Sequence, residues 1–237
     1  MPALGLANCI VTPRGTRFSP LALANLAAWY DVSQAAGVTT GTGGISSLND
    51  LSGNGRHLTQ ATSTKRPALT TAGQNGLDVA TFDGVDDFLS VTWTRSQPFS
   101  VFAALKVRAN AGGSSTLIGF NTWAGSGCYL YMSTGLRTLT YLWCGSASIG
   151  PIDMSSGNFA AVGIVANGAS SVILRNGTET TGNPSTLGAV AFSLGDATDE
   201  GSVNSAITVG EVILIEAAAS ASVREQIKNY LCGKWGI

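Results

Sequence analysis

The chain has little charge. Of its 237 residues, 13 are Lys or Arg and 14 are Asp or Glu, 11% in all, and the formal net charge is -1. An average soluble domain carries roughly 25% charged residues. This composition rules out a disordered polyelectrolyte. It also argues against a nucleic-acid partner, which requires clustered Lys and Arg to displace phosphate counterions. Histidine is nearly absent, with His57 standing alone. The four cysteines, Cys9, Cys128, Cys144 and Cys232, contain no C-x-x-C pair. Structural zinc wants paired thiolates, or Cys and His at short spacing, so no zinc site is expected. The start, Met1-Pro-Ala-Leu-Gly-Leu-Ala-Asn8, lacks the charged and apolar regions of a secretory signal. Folding in a cytosol is expected, where disulfides are disfavoured and buried thiols act as small hydrophobes. The apolar stretch Phe159-Ala-Ala-Val-Gly-Ile-Val-Ala166 is far shorter than the roughly 20 residues of a membrane helix. It reads as a buried strand, and no membrane partner is expected. There is no Gly-x-Ser-x-Gly elbow and no phosphate-binding glycine loop.

The chain is instead rich in turn and strand chemistry. It holds 30 Gly, and 44% of its residues are hydrophobic. Residues 1–20 read as an arm, in which Arg14 and Arg17 could grip an assembly partner; residues 21–237 read as one domain. Leu23 to Asp31 reads as a strand buried on both faces near its start, with a helical turn as the alternative for its Ala-rich beginning. Asp50-Leu-Ser-Gly-Asn-Gly55 is a dense turn signal. Short strands follow around 57–60, 66–70 and 79–82. Phe82-Asp-Gly-Val-Asp-Asp-Phe-Leu89 reads as strand, tight turn and strand, with Asp83-Gly84 supplying a positive φ. Phe99 to Val107 places Phe99, Val101, Ala103, Leu105 and Val107 on one face, a half-buried pattern. Further strands are expected at 116–120, 128–132, 137–142, 159–165, 172–175 and 207–215. Asn176-Gly177 predicts a two-residue hairpin turn. Ser222 with Glu225 forms a capping box for one short amphipathic helix, with Val223, Ile227, Tyr230 and Leu231 on one face and Gly233 as its C-cap. Many short strands and one terminal helix imply an all-β sandwich of two antiparallel sheets.

The series Ala28-Trp29-Tyr30-Asp31, Asp50-Leu-Ser-Gly-Asn-Gly-Arg-His57, Gln60, Arg66-Pro67 and Phe82 to Leu89 resembles the laminin-G-like branch of the concanavalin A-like lectin/glucanase superfamily. Gly210-Glu-Val-Ile-Leu-Ile-Glu216 and Tyr230-Leu-Cys-Gly-Lys-Trp-Gly-Ile237 are similar to that family's last strand and closing helix. The resemblance implies a jelly roll of two curved sheets. Versions with a start like Leu4-Gly-Leu6 resemble phage virion proteins. That implies a non-enzymatic structural protein of a capsid or tail, made in the host cytoplasm and displayed on the virion surface. Its expected partners are other virion proteins and copies of itself, with host-surface glycans as a further ligand. A stand-alone carbohydrate-binding module is the alternative, and a glycoside hydrolase a more distant one.

Related glucanases carry Glu-x-Asp-x-x-Glu on a strand, where two glutamates act as nucleophile and general acid. Here Ile213 stands at the middle Asp position, between Glu211 and Glu216. Residues five apart on an unbroken strand face opposite ways, whereas a retaining pair needs carboxyls about 5 Å apart. No catalytic residue is expected. Asp83, Asp86 and Asp87 offer carboxylates to Ca²⁺, against the plainer reading that they build the turn. Asp31, Asn49, Asp50 and Asn54 offer a second oxygen cluster, with Asx-turn bonding the favoured reading. Beyond Ca²⁺ no cofactor is expected. His57 is expected to be simply hydrogen-bonded. Trp123 and Asn121, in a turn-rich stretch, and Tyr129 and Trp143, on adjacent strands, are the glycan-binding candidates. Aromatic rings stack on the C–H faces of sugars while amides bond their hydroxyls; core packing is the competing reading. Tyr131 and Tyr141 belong to the same run.

Overall fold

The computed structural model describes residues 18–108, 115–120, 128–132, 139–145, 147–154, 157–196 and 204–237. Arg14, Arg17, Asn121 and Trp123 lie outside them, as does Cys9. The strands in chain order are β1 (Leu26–Asp31), β2 (Val38–Gly41), β3 (Gly44–Leu48), β4 (Leu58–Thr59), β5 (Ala68–Gln74) and β6 (Leu77–Thr81). Next come β7 (Leu89–Arg95), β8 (Phe99–Val107), β9 (Ser115–Gly119), β10 (Cys128–Met132), β11 (Leu139–Cys144) and β12 (Ser148–Asp153). The last are β13 (Ala160–Ala166), β14 (Ser171–Arg175), β15 (Thr178–Gly182), β16 (Ala189–Leu194) and β17 (Ile207–Ile215), followed by helix α1 (Ala221–Trp235).

These strands form two antiparallel sheets in a jelly-roll sandwich. One has eight strands in the order β15-β14-β13-β8-β17-β6-β5, with β1 also pairing β17. The other has nine, in the order β12-β11-β10-β9-β16-β7-β4-β3-β2. The sandwich core lies between them. Phe99, Val101, Ala103 and Leu105 of β8 meet Trp93, Leu117, Leu130, Leu142 and Phe192 of the facing sheet. Its aromatic spine is Trp93–Phe99 edge-on at 5.4 Å, Phe99–Phe120 at 5.1 Å and Phe120–Phe192 at 5.7 Å. Such tilted contacts suit the ring quadrupole better than a face-to-face sandwich.

A third layer covers the outer face of the eight-stranded sheet. Phe102, Ala104, Ala161, Leu174, Ile213 and Ile215 point away from the sandwich core and pack beneath Ile227, Leu231, Cys232 and Trp235 of α1. Phe159 stacks on Trp235 with ring centroids 6.2 Å apart. This layer is why β8 is buried along both faces, where alternation alone predicts one exposed face. The helix also begins earlier and ends later than the capping box implies. Ser220 is the N-cap, accepting from the Val223 N–H, and Gly236 at φ 66° is the C-cap, so Gly233 lies inside the helix.

Strand β17 holds a bulge that decides which side chains the helix meets. Its pairing with β8 shifts register between Val209 and Glu211. Ile207 and Val209 face the sandwich core, and so do Val212 and Leu214. Strict alternation from Val209 would drive Glu211 into that core; the extra residue turns Gly210 and Glu211 toward the helix instead. Gly210 is needed there for close approach, because a Cβ would lie 2.6 Å from the Trp235 ring.

Two sequence readings need correction. Phe82 to Leu89 is not a hairpin: β6 belongs to the eight-stranded sheet and β7 to the nine-stranded one, so the segment is an arch between sheets. Its local chemistry is as expected, with Gly84 at φ 81° and Asp83 Oδ1 accepting from the Val85 N–H at 2.7 Å. Local turn signals cannot tell a hairpin from an arch, because both need the same reversal. Cys128 and Cys144, read as thiols, sit directly opposite on β10 and β11 and form a disulfide. Their pairing follows from register, which spacing does not reveal. Cys232 is a buried thiol, as expected. Asn176-Gly177 does make the β14–β15 turn, with φ of 49° and 89°.

Gly210→Ala is expected to destabilise the protein by about 1–3 kcal/mol, the cost of overpacking. Urea unfolding checks this: the midpoint falls while the slope stays unchanged.

Candidate functional site

The outer face of the nine-stranded sheet carries an aromatic cluster. Cys128, Leu130, Met132, Leu142 and Cys144 of β10 and β11 belong to the sandwich core. Period-2 alternation therefore sends Tyr129, Tyr131, Tyr141 and Trp143 to the opposite face. Register makes them two cross-strand pairs, Tyr129 with Trp143 and Tyr131 with Tyr141. The Tyr131 and Tyr141 rings lie 5.8 Å apart, and the Tyr131 and Trp143 rings 6.4 Å apart at 65°. Tyr129 is buried, and Tyr131, Tyr141 and Trp143 are half-buried. Burial pushes the phenols of Tyr129 and Tyr131 upward, so both are neutral hydroxyls near pH 7; a hydrogen bond to Ser148 opposes the rise at Tyr131. The cluster thus combines apolar ring surface with neutral hydroxyls, a combination suited to sugars. Of the glycan candidates, Tyr129 and Trp143 come together here, while Trp123 and Asn121 lie outside the described residues.

Glu211 and Glu216 do not converge. Glu211 is fully buried under α1. Its Oε1 accepts from Trp29 Nε1 at 2.7 Å and the Tyr230 hydroxyl at 2.8 Å. Its Oε2 accepts from Lys234 Nζ at 2.8 Å and Trp235 Nε1 at 3.0 Å. Burial, then the charge of Asp31, pushes its carboxyl above the usual range, and Lys234 opposes this. Glu216 turns toward the other sheet, paired with Arg56 at 2.9 Å and reached by Trp93 Nε1 at 3.4 Å. The bulge precedes Glu211, so the segment between the two glutamates still sends them opposite ways.

The remaining polar candidates hold loops. Asp50 caps the turn after it, accepting from the N–H groups of Trp29 at 3.0 Å, Ser52 at 2.9 Å and Arg56 at 3.0 Å. Those bonds, with one from the Ser52 side chain, outweigh desolvation and hold its carboxyl below the usual range. Asn54 donates to the Leu26 and Ala27 carbonyls, Asn49 to the Ala36 carbonyl, and the Asp50 N–H donates to His57 Nδ1 at 3.0 Å. Asp31 turns away from this group. Its Oδ1 accepts from Ser33 N at 3.1 Å and Ser33 Oγ at 2.6 Å, while Oδ2 accepts from Gln34 Nε2 and Lys234 Nζ. The second oxygen cluster is therefore an Asx-turn system plus a separate ion pair. Sequence reasoning missed the role of Lys234, although its position four residues after Tyr230 puts both on one helix face.

Asp83, Asp86 and Asp87 do come together, with one carboxylate oxygen of each within 4.8 Å of the others. Asp87 Oδ2 accepts from the Asp83 N–H at 2.9 Å, so this carboxylate serves the turn. Burial and the charges of Asp83 and Asp86 raise the Asp87 carboxyl to about 6.

Two antiparallel sheets backed by one terminal helix define a jelly-roll β-sandwich. No family model matches the chain, and no curated protein matches it. Solved structures do. A Trypanosoma rangeli sialidase in complex with sialic acid aligns over 90% of this chain and 34% of its own, with TM-score 0.66 and 14% identity. The chain thus spans about a third of that sialidase. Domain 4 of AbnA, a GH43 extracellular arabinanase from Geobacillus stearothermophilus in complex with arabinotriose, aligns over 87% of this chain and 98% of its own, with TM-score 0.61 and 17% identity. The binding domain of Paraclostridial Mosquitocidal Protein 1 aligns over 86% and 52%, with TM-score 0.60 and 15% identity. These likenesses are of fold.

The folded state holds the Asp87 proton up to about pH 6, whereas an unperturbed Asp carboxyl releases its proton near 3.8. This contribution to stability is complete below the lower value and is lost as pH rises through the upper one. Asp87→Asn mimics the protonated form and keeps an acceptor for Asp83. Its melting temperature is expected to match wild type near pH 4 and to exceed it progressively toward about pH 7. Paired thermal melts across that range check this.

Proposed function

We propose that this chain is a non-catalytic, glycan-contacting β-sandwich of the laminin-G-like branch, carried as a structural component on a phage-type virion. The observation that carries the glycan part is the outward cluster of Tyr129, Tyr131, Tyr141 and Trp143 on β10 and β11. A sugar ring would lie against the half-buried Trp143 and Tyr131, with tyrosine hydroxyls bonding its substituents. The likeness to an arabinanase domain solved with arabinotriose supports this reading. The non-catalytic part is supported by Glu211 and Glu216 facing apart, with Glu211 fully engaged by structural donors. No cofactor enters the proposal; the Asp83 and Asp87 carboxylates accept backbone N–H groups of the arch. The virion part rests on the sequence resemblance, with Arg14 and Arg17 in the docking arm and copies of the chain or other virion proteins as partners.

The test is a glycan array, followed by titration calorimetry on any hit. Wild type is expected to bind a plant or bacterial surface saccharide at micromolar to millimolar affinity, and Trp143→Ala to lose about tenfold or more while remaining folded and β-rich by circular dichroism. Equal binding by Trp143→Ala, or no binding by wild type at millimolar sugar, contradicts the glycan part. Failure of the chain to co-sediment with virions contradicts the virion part.

A further inference from the structure

The bonds around Lys234 raise a question beyond glycan binding. Lys234 Nζ touches two carboxylates, Asp31 Oδ2 at 2.5 Å and Glu211 Oε2 at 2.8 Å. Both acids are fully buried, and 20% of the Lys234 side chain is exposed. The ammonium lies 5.8 Å from the Tyr230 ring centre and 5.2 Å from that of Trp235. Trp29 closes the group by donating to Glu211. Two acids and one amine are held among three aromatic side chains; in the described ion pairs of Glu179, Glu216 and Glu225 the acid is instead 29–58% exposed. In such a site an ion pair carries a desolvation cost that a neutral amide does not.

The Asp31 carboxyl is also held as an acylating group would be. Its Oδ1 receives the N–H and Oγ–H of Ser33, donors placed where negative charge grows when a nucleophile adds to Cγ. Its Oδ2 receives Gln34 Nε2 and the lysine itself. Glu211 Oε2 touches Nζ, so it can take a proton from the amine and return it. The fold brings these groups together across 203 residues of sequence.

We propose that Lys234 and Asp31 form an intramolecular isopeptide bond, with Glu211 as the proton-transfer group. Nζ attacks Cγ of Asp31, the N–C bond forms, and the Cγ–Oδ2 bond breaks. Two protons leave the ammonium by way of Glu211 and end on Oδ2, which departs as water. Ammonium and carboxylate enter; amide and water leave, so charge and atoms balance with no co-reactant. The bond staples the end of α1 to β1, closing the helix layer covalently.

Intact mass spectrometry of the reduced, folded protein tests this. Wild type is expected about 18 Da below its sequence mass, one water lost. Trypsin is expected to give a branched peptide joining residues 18–56 to residues 229–237, because an acylated Lys234 resists cleavage. Lys234→Arg and Glu211→Gln, each confirmed as β-rich by circular dichroism, are expected at full sequence mass. If Glu211→Gln fails to fold, Lys234→Arg alone decides the cross-link. Full mass in folded wild type overturns the proposal. A water loss mapped to Asp83-Gly84, where a succinimide can form, overturns it equally. The branched peptide persisting in Glu211→Gln removes Glu211 from the reaction.

Discussion

A carboxylate with no access to water must take its hydrogen bonds from the protein, and Glu211 takes four. Its donors come from β1 through Trp29 and from α1 through Tyr230, Lys234 and Trp235. One side chain of β17 therefore ties together an early strand, a late strand and the terminal helix. Hydrogen bonds to a charged group each contribute about 1.5–3 kcal/mol, and leaving such a group unpaired costs more than any one of them returns. The arrangement depends on the bulge at Gly210. Without it Glu211 would face the dry sandwich core, and Trp235 would meet a strand with nothing to accept its indole N–H.

The consequence is a division of labour between the two outer faces. The helix buries the outer face of the eight-stranded sheet. The outer face of the nine-stranded sheet keeps an aromatic cluster with half-buried rings. Below that cluster, Cys128 and Cys144 join β10 to β11 from the core side, which holds the two strands in the register that aligns the rings. The aromatic cluster thus sits on a sheet, with its geometry fixed by strand pairing, while Asx bonding at Asp50 and Asp83 stiffens two of the turns.

Much of this was legible in the residues. Period-2 runs and Asn176-Gly177 give strands and a hairpin because those signals are local. Ile207 to Ile215 reads as a strand from its composition, with the bounds the structure shows. Longer-range features were not legible. The arch at Asp83 uses the same turn residues as a hairpin, and only sheet membership tells them apart. The exposed face expected for β8 is buried because a helix more than a hundred residues later covers it. The helix start was misplaced because Ser220 and Ser222 are equally good caps by type. The site divides the same way. Alternation puts Tyr129 with Tyr131 on one face of β10 and Tyr141 with Trp143 on one face of β11, but the register that joins the two pairs, like the convergence of Asp31, Glu211 and Lys234, has no local signature.

Helix α1 is an integral layer of the fold rather than an appended helix, and native-state hydrogen–deuterium exchange tests that most directly. Amides of residues 227–235 are expected to exchange with the same opening free energy as those of β17 and β8, through global unfolding. Exchange of the helix through a separate local opening, with the sheets still protected, would contradict it.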